Sequence, residues 1–149
     1  MSIGGMGRLK NNRGVSTIEM AIVLIVLLLM VFGITEFGRA FYQYNTLAKT
    51  IRDGGRYIIK QKPADLSGEK TNPNSPTKNL VVYGNSTGTG APLLSGLTTG
   101  KVAIVYTGAI PQYITVRIQG YQFQSLVPGI IPFTVNLSPE ITMPYLFSP

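Results

Sequence analysis

The 149-residue sequence contains no cysteine and no histidine. Without cysteine there is neither a disulfide framework nor thiol chemistry, an absence that fits reducing and oxidising compartments equally. Without histidine, the commonest general base and the commonest transition-metal ligand are both missing. Acids are scarce as well. Glu19, Glu36, Asp53, Asp65, Glu69 and Glu140 are scattered, with no pair at catalytic or metal-ligand spacing. A hydrolase built on this chain would need a Ser–Lys pair or two carboxylates, and no local arrangement offers either. The expectation is a protein that is not an enzyme, with no catalytic residues, no cofactor and no metal site.

The formal charge is +7, which in other contexts points to nucleic acid. The distribution argues against that partner. Arg8, Lys10 and Arg13 precede a long apolar run with no acid among them, and Lys49, Arg52, Arg56, Lys60 and Lys62 lie well beyond it. There is no basic stripe interleaved with aromatics and no glycine-rich phosphate loop.

The apolar run is the dominant feature. Val15 to Thr35 is 21 residues with a single charge, and a bilayer core about 30 Å thick takes roughly 20 residues of helix. A buried helix of a soluble protein rarely lacks a polar face altogether, so residues 15–35 are expected to be a transmembrane helix. Three basic residues flank its start, whereas Arg39 beyond its end is offset by Glu36. The positive-inside rule then places the N-terminus in the cytoplasm and the C-terminal part outside. The competing reading is a secretory signal cleaved after small residues such as Gly38 and Ala40. That site would follow Glu36 and include Arg39, within a helical pattern that continues past it.

Glu19 is out of place in a simple anchor, because a carboxylate inside a span is costly. One explanation is local: a glutamate near a helix N-terminus favours the macrodipole, and Ser16 and Thr17 suit a cap. The other involves the residues before it. Gly14-Val15-Ser16-Thr17-Ile18-Glu19, after a basic leader and before a long apolar run, resembles the class III signal of type IV prepilins. The resemblance implies cleavage by a prepilin peptidase between Gly14 and Val15, with 1–14 as the leader. Val15 would then carry a new α-ammonium and Glu19 would be the fifth residue. An ammonium and a carboxylate attract strongly in a low dielectric and relieve each other's burial cost. Between subunits, such a pair would set the axial register of packed helices, a role well attested for buried polar groups.

The likeness extends further. Arg13-Gly14-Val15, Ile18-Glu19-Met20-Ala21, Thr35-Glu36-Phe37-Gly38-Arg39-Ala40-Phe41, Ile51-Arg52-Asp53-Gly54-Gly55-Arg56-Tyr57 and Asn79-Leu80-Val81-Val82-Tyr83-Gly84-Asn85 together resemble the TadE-like family of tight-adherence pilus proteins. The similarity is clearest over residues 13–60. Arg52 departs from the family's usual small residue, and the Phe-Thr-Leu start of type IVa pilins is absent. The resemblance implies a minor pilin or pseudopilin of a type IVc (Tad) pilus, contributing to adhesion or biofilm. It would sit in the bacterial inner membrane with a periplasmic C-terminal domain, and outside the cell once in a pilus. Its implied partners are the lipid bilayer, other pilin subunits, the prepilin peptidase and the assembly machinery. The alternative is an uncleaved, signal-anchored binding or envelope protein.

Beyond the span, Phe37, Phe41, Tyr44, Ala48, Ile51, Gly55 and Ile58 recur at alternating steps of four and three, an apolar stripe on a helix. One helix is therefore expected from Val15 to about Lys60, roughly 70 Å long, with 36–61 as its extracytoplasmic amphipathic half. The stripe should mainly cover the protein's own β-sheet, the alternative being a helix–helix contact with neighbouring subunits on a different face, and Gly54-Gly55 is a candidate break. Residues 62–100 are dominated by Gly, Pro, Ser, Thr and Asn and read as an irregular loop region, with only Leu80 to Tyr83 strand-like. Asn85-Ser86-Thr87 has the form of a glycosylation sequon but is a weak signal. Residues 101–149 are β-patterned. Lys101–Thr107 is a strand candidate. Ile114, Val116 and Ile118 alternate on one face. The pattern shifts to Tyr121 and Phe123 as a bulge at Gly120 would allow, and Phe133, Val135 and Leu137 alternate again before Ile141 and Met143. The fold class is α+β: a long N-terminal transmembrane helix continuing into an amphipathic half, packed on a small antiparallel sheet.

Overall fold

The computed structural model describes residues 13–108, 111–126, 128–129 and 134–146. The expected leader, apart from Arg13 and Gly14, and Phe133 in the β pattern lie outside the described residues. Helix α1 runs Arg13–Ile58, α2 Pro63–Thr71 and α3 Pro76–Tyr83. A 3-10 turn at Thr99–Lys101 leads into strands β1 Val102–Val105, β2 Tyr113–Ile118, β3 Gln122–Gln124, β4 Thr134–Asn136 and β5 Glu140–Pro144. A long apolar N-terminal helix with small antiparallel sheets is the expected α+β class. The chain divides into two compact units, Met1–Phe37 and Gly38–Pro149.

In the first unit, the stretch of α1 from Met20 to Ile34 is apolar on every side, whereas Glu36 just beyond it is buried at 5%. Side chains from Val15 to Ile34 are exposed nearly throughout, Ile34 at 73%. It is long and apolar enough to cross a membrane. An uncovered helix without a polar face has no stable place in water.

The second unit holds the core. Strands β1, β2 and β5 form an antiparallel sheet in that order, with Val116 opposite Ile104 on one side and Ile141 on the other. Ile114, Val116 and Ile118 are fully buried, as their alternation predicts. Where a bulge is expected, the chain instead turns. Gly120 takes φ +65°, and β3 leaves to pair with β4 in a separate two-stranded sheet. Only glycine adopts that angle without strain. Tyr121 and Phe123 still reach the core.

The stripe on α1 meets that core only at its lower end. Leu47, Thr50, Ile51, Gly54 and Ile58 are buried, whereas Phe41 is 60% and Tyr44 43% exposed, and Phe37 lies open as well. The expected packing of the stripe on the protein's own core therefore holds for its C-terminal part, while its aromatic end stands open. A step pattern of four and three averages 3.5 residues per turn and drifts about 20° per heptad around a straight helix. Over the three heptads from Phe37 to Ile58 the stripe winds by roughly 60°, starting on the outer face and ending in the core.

Gly54-Gly55 is not a break: α1 continues through both. A Cβ on Gly54 would fall 2.6 Å from Val81 Cγ2, and one on Gly55 would lie 3.2 Å from Met143 Sδ. The glycines admit α3 and β5 against the helix.

The region 62–100 carries two helices where an irregular loop is expected, and Leu80–Tyr83 is the end of α3 rather than a strand. Each helix starts with proline in its first turn, where the missing N–H is no loss. Ser75 caps α3 by accepting from Lys78 N–H, and Gly84 closes it at φ 75°, a left-handed C-cap. Glu69 and Lys78 clasp the pair. Glu69 Oε2 accepts from Thr77 N–H at 3.0 Å, and Lys78 Nζ donates to Lys70 O at 3.0 Å and Asn72 O at 2.8 Å. An acid thus faces the start of α3 and a cation the end of α2, both favoured by the helix dipoles. Asn85 turns its amide inward, to Tyr83 O and Thr89 O.

Candidate processing and assembly site

Gly14, Val15 and Glu19 lie within the first seven residues of α1. All three are exposed, and among the described residues no side chain stands within 4 Å of where a Gly14 Cβ would be. Val15 and Glu19 are four apart and so share one face of the helix. Below them are a basic residue and a small one. Above them is the uninterrupted apolar surface.

The position of Glu19 bears on its two explanations. No acid occupies the first turn of α1. The helix begins no later than Arg13, so Glu19 sits beyond the four unpaired N–H groups and beyond the reach of the dipole, which fades within the first turn. The local explanation thus has little to act on. Threonines elsewhere on the helix illustrate the contrast: Thr35 Oγ1 donates to Val31 O at 2.8 Å and Thr46 Oγ1 to Tyr42 O at 2.9 Å. Those hydroxyls are satisfied within the helix itself, while a carboxylate, an acceptor only, gains nothing from carbonyls one turn back.

Further along, the aromatic end of the stripe stands open. Phe37, Phe41 and Tyr44 share an open face, with Tyr42 (68% exposed) to one side. The signal was present in the sequence as the 3.5-residue period, which separates the two ends of the stripe.

These features coincide with the extent of a known family. Residues 14–56 match the family model of TadE-like proteins. The TadE-like segment starts at the glycine of the expected junction, spans the apolar half of α1 and ends beside Gly54-Gly55. It points to a membrane-anchored, Tad pilus-related protein, and the family is not one of enzymes. No curated protein and no solved structure matches the chain. Among the described residues, no group of three acids converges as a metal site.

Proposed function

We propose that this protein is a minor pilin or pseudopilin of a Tad-type pilus, held in the inner membrane by α1 and matured by a prepilin peptidase between Gly14 and Val15. The observation that carries the reading is the conjunction at the start of α1: a family match beginning at Gly14, and an exposed carboxylate at Glu19 beyond the first turn of an otherwise apolar helix. Before assembly the apolar half of α1 is solvated by lipid. In the filament, other subunits' helices replace the lipid. Glu19 then pairs with the α-ammonium of a neighbouring Val15, which fixes the axial step, since a misregistered helix would leave both charges buried and unpaired. The aromatic face of Phe37, Phe41 and Tyr44 supplies a further helix–helix contact above the membrane. The C-terminal unit is carried on the extracytoplasmic side, where it contributes to adhesion.

Glu19→Ala tests the register role. The variant should insert into the membrane at wild-type levels, because removing a charge from a span favours insertion, yet should not support pilus assembly. Normal piliation by this variant would contradict the role.

A further inference from the structure

A polar cleft of about 420 Å³ opens beside the β3 end of the second unit, lined among others by Arg39, Ser95, Lys101, Tyr121, Gln122 and Gln124. None of its lining residues is acidic. Both cations are held in place. Arg39 donates to Gln124 O at 3.1 Å, with its guanidinium 5.0 Å from the centre of the Phe123 ring. Lys101 Nζ donates to Gly96 O at 2.8 Å and lies 5.5 Å from the centre of the Tyr121 ring. Tyr121 Oη is itself fixed, 3.2 Å from both Gln43 Oε1 and Ser95 O. Long cationic side chains normally lose much rotamer freedom on binding, and contacts that order them beforehand remove that cost. Lys101 has three donors and commits one of them to Gly96 O.

The cleft is joined to the apolar half of α1 by a short stretch of chain. Arg39 is five residues beyond Ile34, the last residue of the apolar run. Five residues reach at most about 18 Å, a limit set by covalent geometry alone. The headgroup layer itself is roughly 5–8 Å deep on each face. With α1 across a membrane, chain length alone would keep Arg39 within about 18 Å of the end of the span.

We propose that this cleft binds the phosphate of an anionic glycerophospholipid headgroup in the leaflet nearest the second unit. The charge of Arg39 and the charge and remaining donors of Lys101 meet the phosphate, and the amides of Gln122 and Gln124 meet glycerol hydroxyls. Burial pushes the Tyr121 hydroxyl above its ordinary range, partly countered by Arg39, so the ring beneath Lys101 stays neutral at physiological pH. The inference rests on α1 crossing a membrane and not on the pilus reading. Failure of leader processing would leave it standing.

The test uses the full chain in nanodiscs of phosphatidylcholine containing a minor fraction of phosphatidylglycerol, with bound lipid counted by native mass spectrometry. Lys101→Gln should weaken phosphatidylglycerol retention about fivefold. Lys101→Arg, which keeps the charge, should retain it, as should Lys49→Gln, a change at an exposed lysine outside the cleft. Inorganic phosphate added to discs of phosphatidylcholine alone should not bind measurably. Equal retention by Lys101→Gln and wild type, or loss in Lys101→Arg with the fold intact by circular dichroism, overturns the site. Phosphate binding as tightly as the lipid overturns the headgroup as its source.

Discussion

Gly54 shows how much one missing methyl group can decide. Its hydrogen faces Val81 at a distance that a Cβ could not tolerate, and the clash is with a short, branched side chain on a packed helix. Gly54→Ala trades a gain in helix propensity, about 1 kcal/mol, against overpacking of about 1–3 kcal/mol. The net effect should be a lower melting temperature for the second unit, followed by circular dichroism of the full chain in detergent. Gly55→Ala should cost less, because its nearest neighbour is the flexible Met143 side chain, which can move. Tyr145 is a second telling residue. It is buried, and its hydroxyl donates to Gln61 O at 2.7 Å. Burial chiefly, and the negative charge of Asp65 in addition, push its ionisation above the ordinary range. A raised folded-state pKa means the folded form holds its proton longer than the unfolded one. The resulting stability is fully present below about pH 10 and is lost as pH rises through the folded value. Tyr145→Phe should therefore be about 1 kcal/mol less stable at neutral pH but lose less of its stability above pH 10, as read from urea unfolding across pH.

The elements were legible to different degrees, for physical reasons. Strand β2 was readable because its burial follows its own periodicity, with Ile114, Val116 and Ile118 pointing into the core as their alternation requires, and α1 was readable from the length of its unbroken apolar run. Helices α2 and α3 were hidden behind composition. Ser75-Pro76 at one end and Gly84 at the other are start and stop signals for a helix, but Pro, Ser, Asn and Gly are also loop residues, and the β-branched Val81-Val82 in the middle favours a strand. What decides for helix is the capping by Ser75 and Gly84 together with the clasp from α2. That clasp is testable. Lys78 is buried, which lowers its pKa, with Glu69 acting to raise it. Lys78→Met would leave Lys70 O and Asn72 O without this donor, at a cost of about 1–3 kcal/mol. Faster hydrogen exchange should appear first in α2, while β2 amides change only with global stability. The two ends of the aromatic stripe were inseparable by eye because 3.5 and 3.6 residues per turn differ little over one heptad and visibly over three.

At the scale of the whole molecule, the chain joins two solvents. The first unit has an apolar surface without a core, and the second has a core with a polar, cationic cleft. The TadE-like match lies on the first unit and on the part of α1 that enters the second, while α2, α3 and the sheets lie beyond it. Gly14, Val15 and Glu19 are proposed from the sequence pattern, a short basic stretch followed by a glycine and a lone glutamate in an apolar run. The pairing proposed for Glu19 is between subunits, and a single chain would bear no mark of it. The central claim is processing at Gly14-Val15, since the Val15 ammonium and the role of Glu19 both depend on it. The most direct measurement is the intact mass of the protein extracted from membranes in which a prepilin peptidase is active. The account predicts a mass lacking residues 1–14, with Val15 at the N-terminus. Full-length protein under those conditions would contradict it and favour an uncleaved, signal-anchored protein.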